Sequence, residues 1–137
     1  MNRKLDRGDS GAAVVEFALL LPLLLLLVLG ILDFGRVYNA QITLTQAARE
    51  GARYAALKTG DPVARTTTAA SPLTVVTATV QQACPASPGP TDTATVRATK
   101  TINDAAYSAL SSIANRFGGG ISSSITITGT ATMRCLG

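Results

Sequence analysis

The sequence predicts an α+β protein in which a long N-terminal helix, transmembrane over its first part, extends into a small, mostly antiparallel β-sheet head with one short helix. Three observations predict it. Residues 12–32 read AAVVEFALLLPLLLLLVLGIL, with Glu16 as the one charge. Small and apolar residues then recur at three- and four-residue spacing as far as Ala55. Beyond Pro72, three separate runs alternate apolar with polar residues, which is the period of a half-buried strand.

The apolar block comes first because it governs the rest. As a helix its 21 residues are about 30 Å long, the thickness of a bilayer's hydrocarbon core. Arg3, Lys4 and Arg7 precede it, and basic flanks stay in the cytoplasm. The N-terminus is therefore expected inside and everything after about Asp33 exported. A cleavable secretory signal would have a shorter apolar region ending at a small-x-small site; Asp33-Phe34-Gly35-Arg36-Val37-Tyr38 offers none. Pro22 removes one backbone hydrogen bond inside the span and predicts a kink.

Composition narrows the function. The chain has 137 residues, enough for one anchor and one modest domain, and no histidine. The usual general base and the commonest zinc ligand are thus missing. No catalytic residue, metal site or cofactor is expected, and an exported hydrolase is disfavoured. Positive charges are scattered without a run, so no nucleic-acid surface is expected either. Arg7-Gly8-Asp9 and Gly8-Asp9-Ser10-Gly11 imitate an integrin-binding tripeptide and a serine-protease loop. Chance explains both, since the leader would be discarded and the triad lacks its histidine.

At the polar edge of the apolar block stand Gly11, four residues, Glu16 and Phe17. A glycine there lets the backbone extend and be approached closely. A carboxylate in lipid is costly unless paired, and Glu16 lies four residues beyond Ala12; the alternative is that it snorkels to the interface. The arrangement resembles the processing site of type IV-like prepilins. The stretch from Gly11 to Leu57 resembles the TadE-like family of minor pilin-like proteins of the Tad/Flp system. The resemblance is carried by Val15-Glu16-Phe17-Ala18-Leu19, Leu21-Pro22, Asp33-Phe34-Gly35-Arg36 and Ala47-Ala48-Arg49-Glu50-Gly51-Ala52-Arg53. It implies cleavage after Gly11 by a prepilin peptidase, Ala12 as the mature N-terminus, and Glu16 aligning the subunit in a filament. Ala12 stands where many type IV pilins carry Met or Phe. The implied partners are the major pilin, other minor pilins, the prepilin peptidase, the inner-membrane assembly platform and the lipid bilayer. The alternative function is a permanently anchored exported interaction module that enters no filament.

The domain organisation follows: a cytoplasmic leader over 1–11, a long helix over 12–58 with 12–32 in the membrane, and an exported head over 59–137. Outside the membrane, Val37, Ala40, Leu44, Ala47, Ala48, Gly51, Ala52 and Ala55 share one helix face. Ala47, Gly51 and Ala55 form a small-xxx-small ladder, packed either on the chain's own sheet or on a sister helix. Glu50 and Arg53, three apart, can pair. Lys58-Thr59-Gly60-Asp61-Pro62 ends the helix near Lys58.

The stretch from Pro62 to Pro72 has no clear period and reads as a loop. Leu73 to Cys84 alternates, with Val76, Ala78, Val80 and Cys84 on one side; Ser71-Pro72 could also cap a helix there. Pro85, Pro88, Gly89 and Pro90 turn the chain into a second run, Thr91 to Ile102, and the two runs read as a hairpin. Asn103-Asp104 can cap a short helix whose Ala106, Leu110, Ile113 and Phe117 share a face, ended by Gly118-Gly119-Gly120. The last run, Ile121 to Cys135, sets Ile125, Ile127, Ala131 and Met133 against threonines. Cys84 and Cys135 lie on the apolar parities of their strands. In an exported head they read as a disulfide, the alternative being two buried reduced thiols.

Overall fold

The computed structural model describes residues 9–103, 105–120 and 122–136. Its elements are α1 (Asp9–Leu57), α2 (Pro62–Ala69), β1 (Thr77–Gln82), β2 (Thr93–Ile102), α3 (Ala105–Arg116) and β3 (Ile125–Arg134). The chain divides between Arg36 and Val37 into two compact units.

In the first unit every residue from Gly11 to Leu32 is exposed. Leu19 is 76% exposed and Leu23 66%. Burying each such side chain gains about 1.5–3 kcal/mol, and among the described residues nothing covers this run. The helix is long and apolar enough to cross a membrane. Pro22 stands inside it, and Arg36 pairs with Asp33 at 3.6 Å just past the apolar run.

In the second unit a three-stranded antiparallel sheet of order β1-β2-β3 lies against α1. Its inner face buries Ala78, Ala94, Val96, Ala98 and Ile127, of which Ala98 and Ile127 form one cluster with Ala40, Leu44 and Ala48. The alternation anticipated for the last two strands is observed except at Met133, which is 40% exposed near the end of β3. On the outer face the threonines pair across strands, Thr95 with Thr132 at 3.0 Å and Thr101 with Thr126 at 3.2 Å. Such pairs hold register on a solvated face. The core is built largely of alanine, so its layers approach closely and each side chain adds little burial.

The helical face also matches expectation: Ala40, Leu44, Ala47, Ala48 and Ala52 are buried. α1 ends at Leu57 because Lys58 and Gly60 take positive φ, 53° and 73°, and the Thr59 N–H bonds back to the Tyr54 carbonyl at 3.2 Å. This left-handed exit satisfies carbonyls that a helix end otherwise orphans.

Three expectations are corrected. The stretch 62–72 is not all loop: Pro62–Ala69 is a helix, giving the head a second short helix. Asp61 and Pro62 close one helix and open the next, the Asp61 carboxylate accepting from the Val63 N–H at 2.8 Å and Pro62 occupying the first turn. Thr66 and Thr68 hydroxyls each donate to the carbonyl four residues back, offsetting a poor helix propensity.

The first strand is shorter than 73–84. It covers Thr77–Gln82, with a register shift between Val80 and Gln82 that breaks the alternation before Cys84. No helix starts at Ser71-Pro72, a cis peptide. Finally, the α3 face is not covered as a core face would be: Ile113 is 57% exposed and Phe117 87%. Asp104, and the side chains of Ala106 and Leu110, lie outside the described residues. The glycines do end α3, with Gly118 at φ +81° and the Gly119 N–H on the Ala114 carbonyl at 2.8 Å.

Candidate functional site

Gly11 and Ala12 lie in the opening turns of α1 and are exposed. A Cβ on Gly11 would meet nothing within 4 Å, so packing inside the chain does not require glycine there. Gly30 and Gly35 face equally open space. What distinguishes Gly11 is its place at the polar edge of the apolar run, in a terminal turn whose N–H groups lack intrahelical partners. The bond between Gly11 and Ala12 is helical here rather than extended. Unwinding it is cheap, because terminal turns fray and glycine is about 1 kcal/mol less helix-favouring than alanine.

Glu16 follows Ala12 by one helical turn, the spacing at which side chains meet. Glu16 is exposed, and Phe17 beside it is 61% exposed. Among the described residues the ion pairs are Asp33–Arg36 and Glu50–Arg65, and Glu16 belongs to neither. An amine freed at Ala12 would stand within one turn of this carboxylate.

The small-residue ladder serves the chain's own packing. Ala47 and Gly51 are buried and Ala55 half-buried. A Cβ on Gly51 would collide with Thr66 Oγ1 and stand 3.2 Å from the Pro62 carbonyl oxygen. The space that a sister helix would need at Gly51 is filled by α2. Gly51→Ala is expected to destabilise the head by about 1–3 kcal/mol. Thr66→Ala, which removes the colliding hydroxyl, is expected to restore part of that in the double variant. Urea titrations of the four proteins check it, and strict additivity would refute direct contact.

Beside this crossing, Arg65 donates to Glu50 Oε1 at 2.9 Å from one guanidinium nitrogen and 3.3 Å from Nε. Its guanidinium also lies 5.2 Å from the centre of the Tyr54 ring. The hydrogen bond to Glu50 first, and then the charge interaction with Tyr54, raise the Arg65 pKa above its ordinary value. Glu50 thus pairs across to α2 rather than with Arg53. The sequence could not signal this while 62–72 read as a loop.

At the far end of the head, Cys84 and Cys135 are joined in a disulfide with Cα atoms 5.8 Å apart. Both lie just past the ends of their strands. The Leu136 N–H reaches the Ala56 carbonyl at 3.4 Å, so the bridge fixes the chain's end beside the last turn of α1. Among the described residues no cluster of three or more metal-ligating side chains occurs.

Residues 11–53 match the family model described as TadE-like protein. This is the stretch that carries the resemblance seen in the sequence. Neither a curated protein nor a solved structure matches the chain.

Proposed function

Proceeding from the TadE-like match over residues 11–53, we propose that the chain is a processed minor-pilin-like subunit of a Tad/Flp-type pilus serving adhesion or secretion. A prepilin peptidase cuts after Gly11 at the cytoplasmic face, the helix over 12–32 holds the subunit in the inner membrane, and the head is displayed outside. The freed Ala12 amine pairs with Glu16, in the same subunit or a neighbour. That pairing relieves the cost of a carboxylate in lipid and aligns the subunit. The partners are the major pilin, other minor pilins and the assembly platform; the role is structural rather than catalytic.

One observation carries this reading: an exposed apolar run over 12–32 whose one charge, Glu16, sits one turn after Ala12, the residue following a glycine that packing does not require. The basic residues Arg3, Lys4 and Arg7 support the orientation.

Intact mass spectrometry of membrane-extracted protein, co-expressed with a prepilin peptidase, tests it. The wild type is expected to lose residues 1–11 and Gly11→Val to keep them. Full-length mass in both would leave the second reading, a permanently anchored exported module, which the helical geometry of the Gly11–Ala12 bond favours.

A further inference from the structure

Within the head, α1 has two covered flanks and a bare one. The sheet covers Ala40, Leu44 and Ala48, and α2 covers Gly51. The remaining flank carries Ile42, Gln46, Arg49 and Arg53, all exposed. Ile42 keeps 45% of its surface open to solvent, although it is the kind of side chain that a helix turns inward.

This flank has the relief of a helix-packing surface. Side chains four apart line up as ridges on a helix, and a neighbouring helix sets its own ridge in the groove between two of them. Gln41, Thr45, Arg49 and Arg53 make one ridge, Ile42 and Gln46 the next. Gln41, Ile42, Thr45, Gln46 and Arg49 line a shallow groove of about 230 Å³. The first ridge is held in place: Gln41 Nε2 donates to the Thr128 carbonyl at 2.8 Å, and the Thr45 hydroxyl to the Gln41 carbonyl at 2.9 Å. Side chains fixed beforehand lose less freedom on binding.

Charge selects the occupant. Neither Arg49 nor Arg53 belongs to the ion pairs found among the described residues, and Glu50, between them in the sequence, is taken by Arg65. A second copy's head has no idle acid to offer. Among the described residues of the head, Glu50 is held by Arg65, the Asp61 carboxylate caps α2, and Asp92 accepts from the Gly89 N–H at 2.7 Å. Laid against itself, the flank pools its arginines and adds no carboxylate. A partner that brings acids to the same groove gains where a second copy loses.

We propose that this flank docks an acidic amphipathic α-helix of another protein. An apolar residue of that helix sits against Ile42, and its carboxylates lie about 11 Å further along, against Arg49 and Arg53. The docking does not depend on cleavage after Gly11. A second copy of the chain is the rival occupant.

The full-length protein in zwitterionic phospholipid nanodiscs is titrated with labelled helix-forming peptides of about 20 residues, long enough to hold a helix in water. The peptides share an apolar ridge and differ only in flanking it with glutamate, glutamine or lysine; empty discs are the blank. At low salt the glutamate peptide is expected to bind roughly tenfold or more tighter than the lysine peptide, and high salt should remove most of that lead. Arg49→Glu with Arg53→Glu should reverse the order, and Arg49→Gln with Arg53→Gln should erase it. Ile42→Gln should weaken all the peptides. Arg97→Glu with Arg134→Glu, at exposed positions of β2 and β3, should leave the order unchanged. Equal binding of the peptides, or a glutamate preference that survives reversal of Arg49 and Arg53, overturns the proposal. Two chains per disc, returned to one by Ile42→Gln, overturns it in favour of a second copy.

Discussion

Gly129→Ala is expected to destabilise the head by about 2–3 kcal/mol, the upper part of the range for overpacking. Where β3 crosses α1, a Cβ on Gly129 would stand 2.6 Å from the Leu44 carbonyl carbon and oxygen and 2.7 Å from the Thr45 nitrogen. These are backbone atoms of a helix, so no side chain can swing aside. Either the strand lifts off α1 and uncovers Leu44, which is fully buried, or the helix bends. In urea the full-length protein in detergent should unfold at a midpoint roughly 1–2 M lower. Thr130→Ala, next door on the solvated face, should cost less than about 1 kcal/mol. Equal midpoints for Gly129→Ala and the wild type would mean the crossing is looser than these distances.

Removing the disulfide should cost about 4 kcal/mol on the chain-entropy scale for a closed loop of this size, Cys84 and Cys135 being 51 residues apart. The bridge acts mainly on the unfolded chain, whose freedom it restricts. A domain this small is stabilised by only about 5–15 kcal/mol in all, and an alanine-rich core contributes little area per residue. The Cys84→Ala, Cys135→Ala variant is therefore expected to be largely unfolded or degraded near 37 °C. Reduction of the wild type by a membrane-permeant thiol should shift its urea midpoint in the same direction. An unchanged midpoint on complete reduction would assign the head's stability to packing alone.

The elements read most easily from the sequence were those whose period was enforced by one partner. β3 alternates because one face meets α1 and the other water, and the helical stripe from Val37 to Ala52 is spaced by its contact with the sheet. α2 was illegible because its cap and proline also end α1, and a threonine run carries no helical preference. Its place is set by Gly51, whose missing side chain makes room for Thr66. The same contact explains the Glu50–Arg65 pair, since only the crossing of α1 and α2 brings residues fifteen apart together. At the entrance the sequence supplied Gly11 and Glu16, while the helical state of the Gly11–Ala12 bond came only with the backbone. On α3 the helix and its glycine stop were legible, but the exposure of Ile113 and Phe117 was not: periodicity reports that a face exists, not what covers it.

The strand that lies along α1 is far from it in the chain. Thr128 and Gly129 supply its contacts with Gln41 and Leu44, and Leu136, just past its end, meets Ala56, so this face of the helix stays bare until β3 has been synthesised. Closure must wait for β3, because the partners lie roughly 85 residues apart. Until then a sticky stripe of alanines faces proteases and neighbouring nascent chains. A product truncated before Ile125 is expected to be clipped rather than stored.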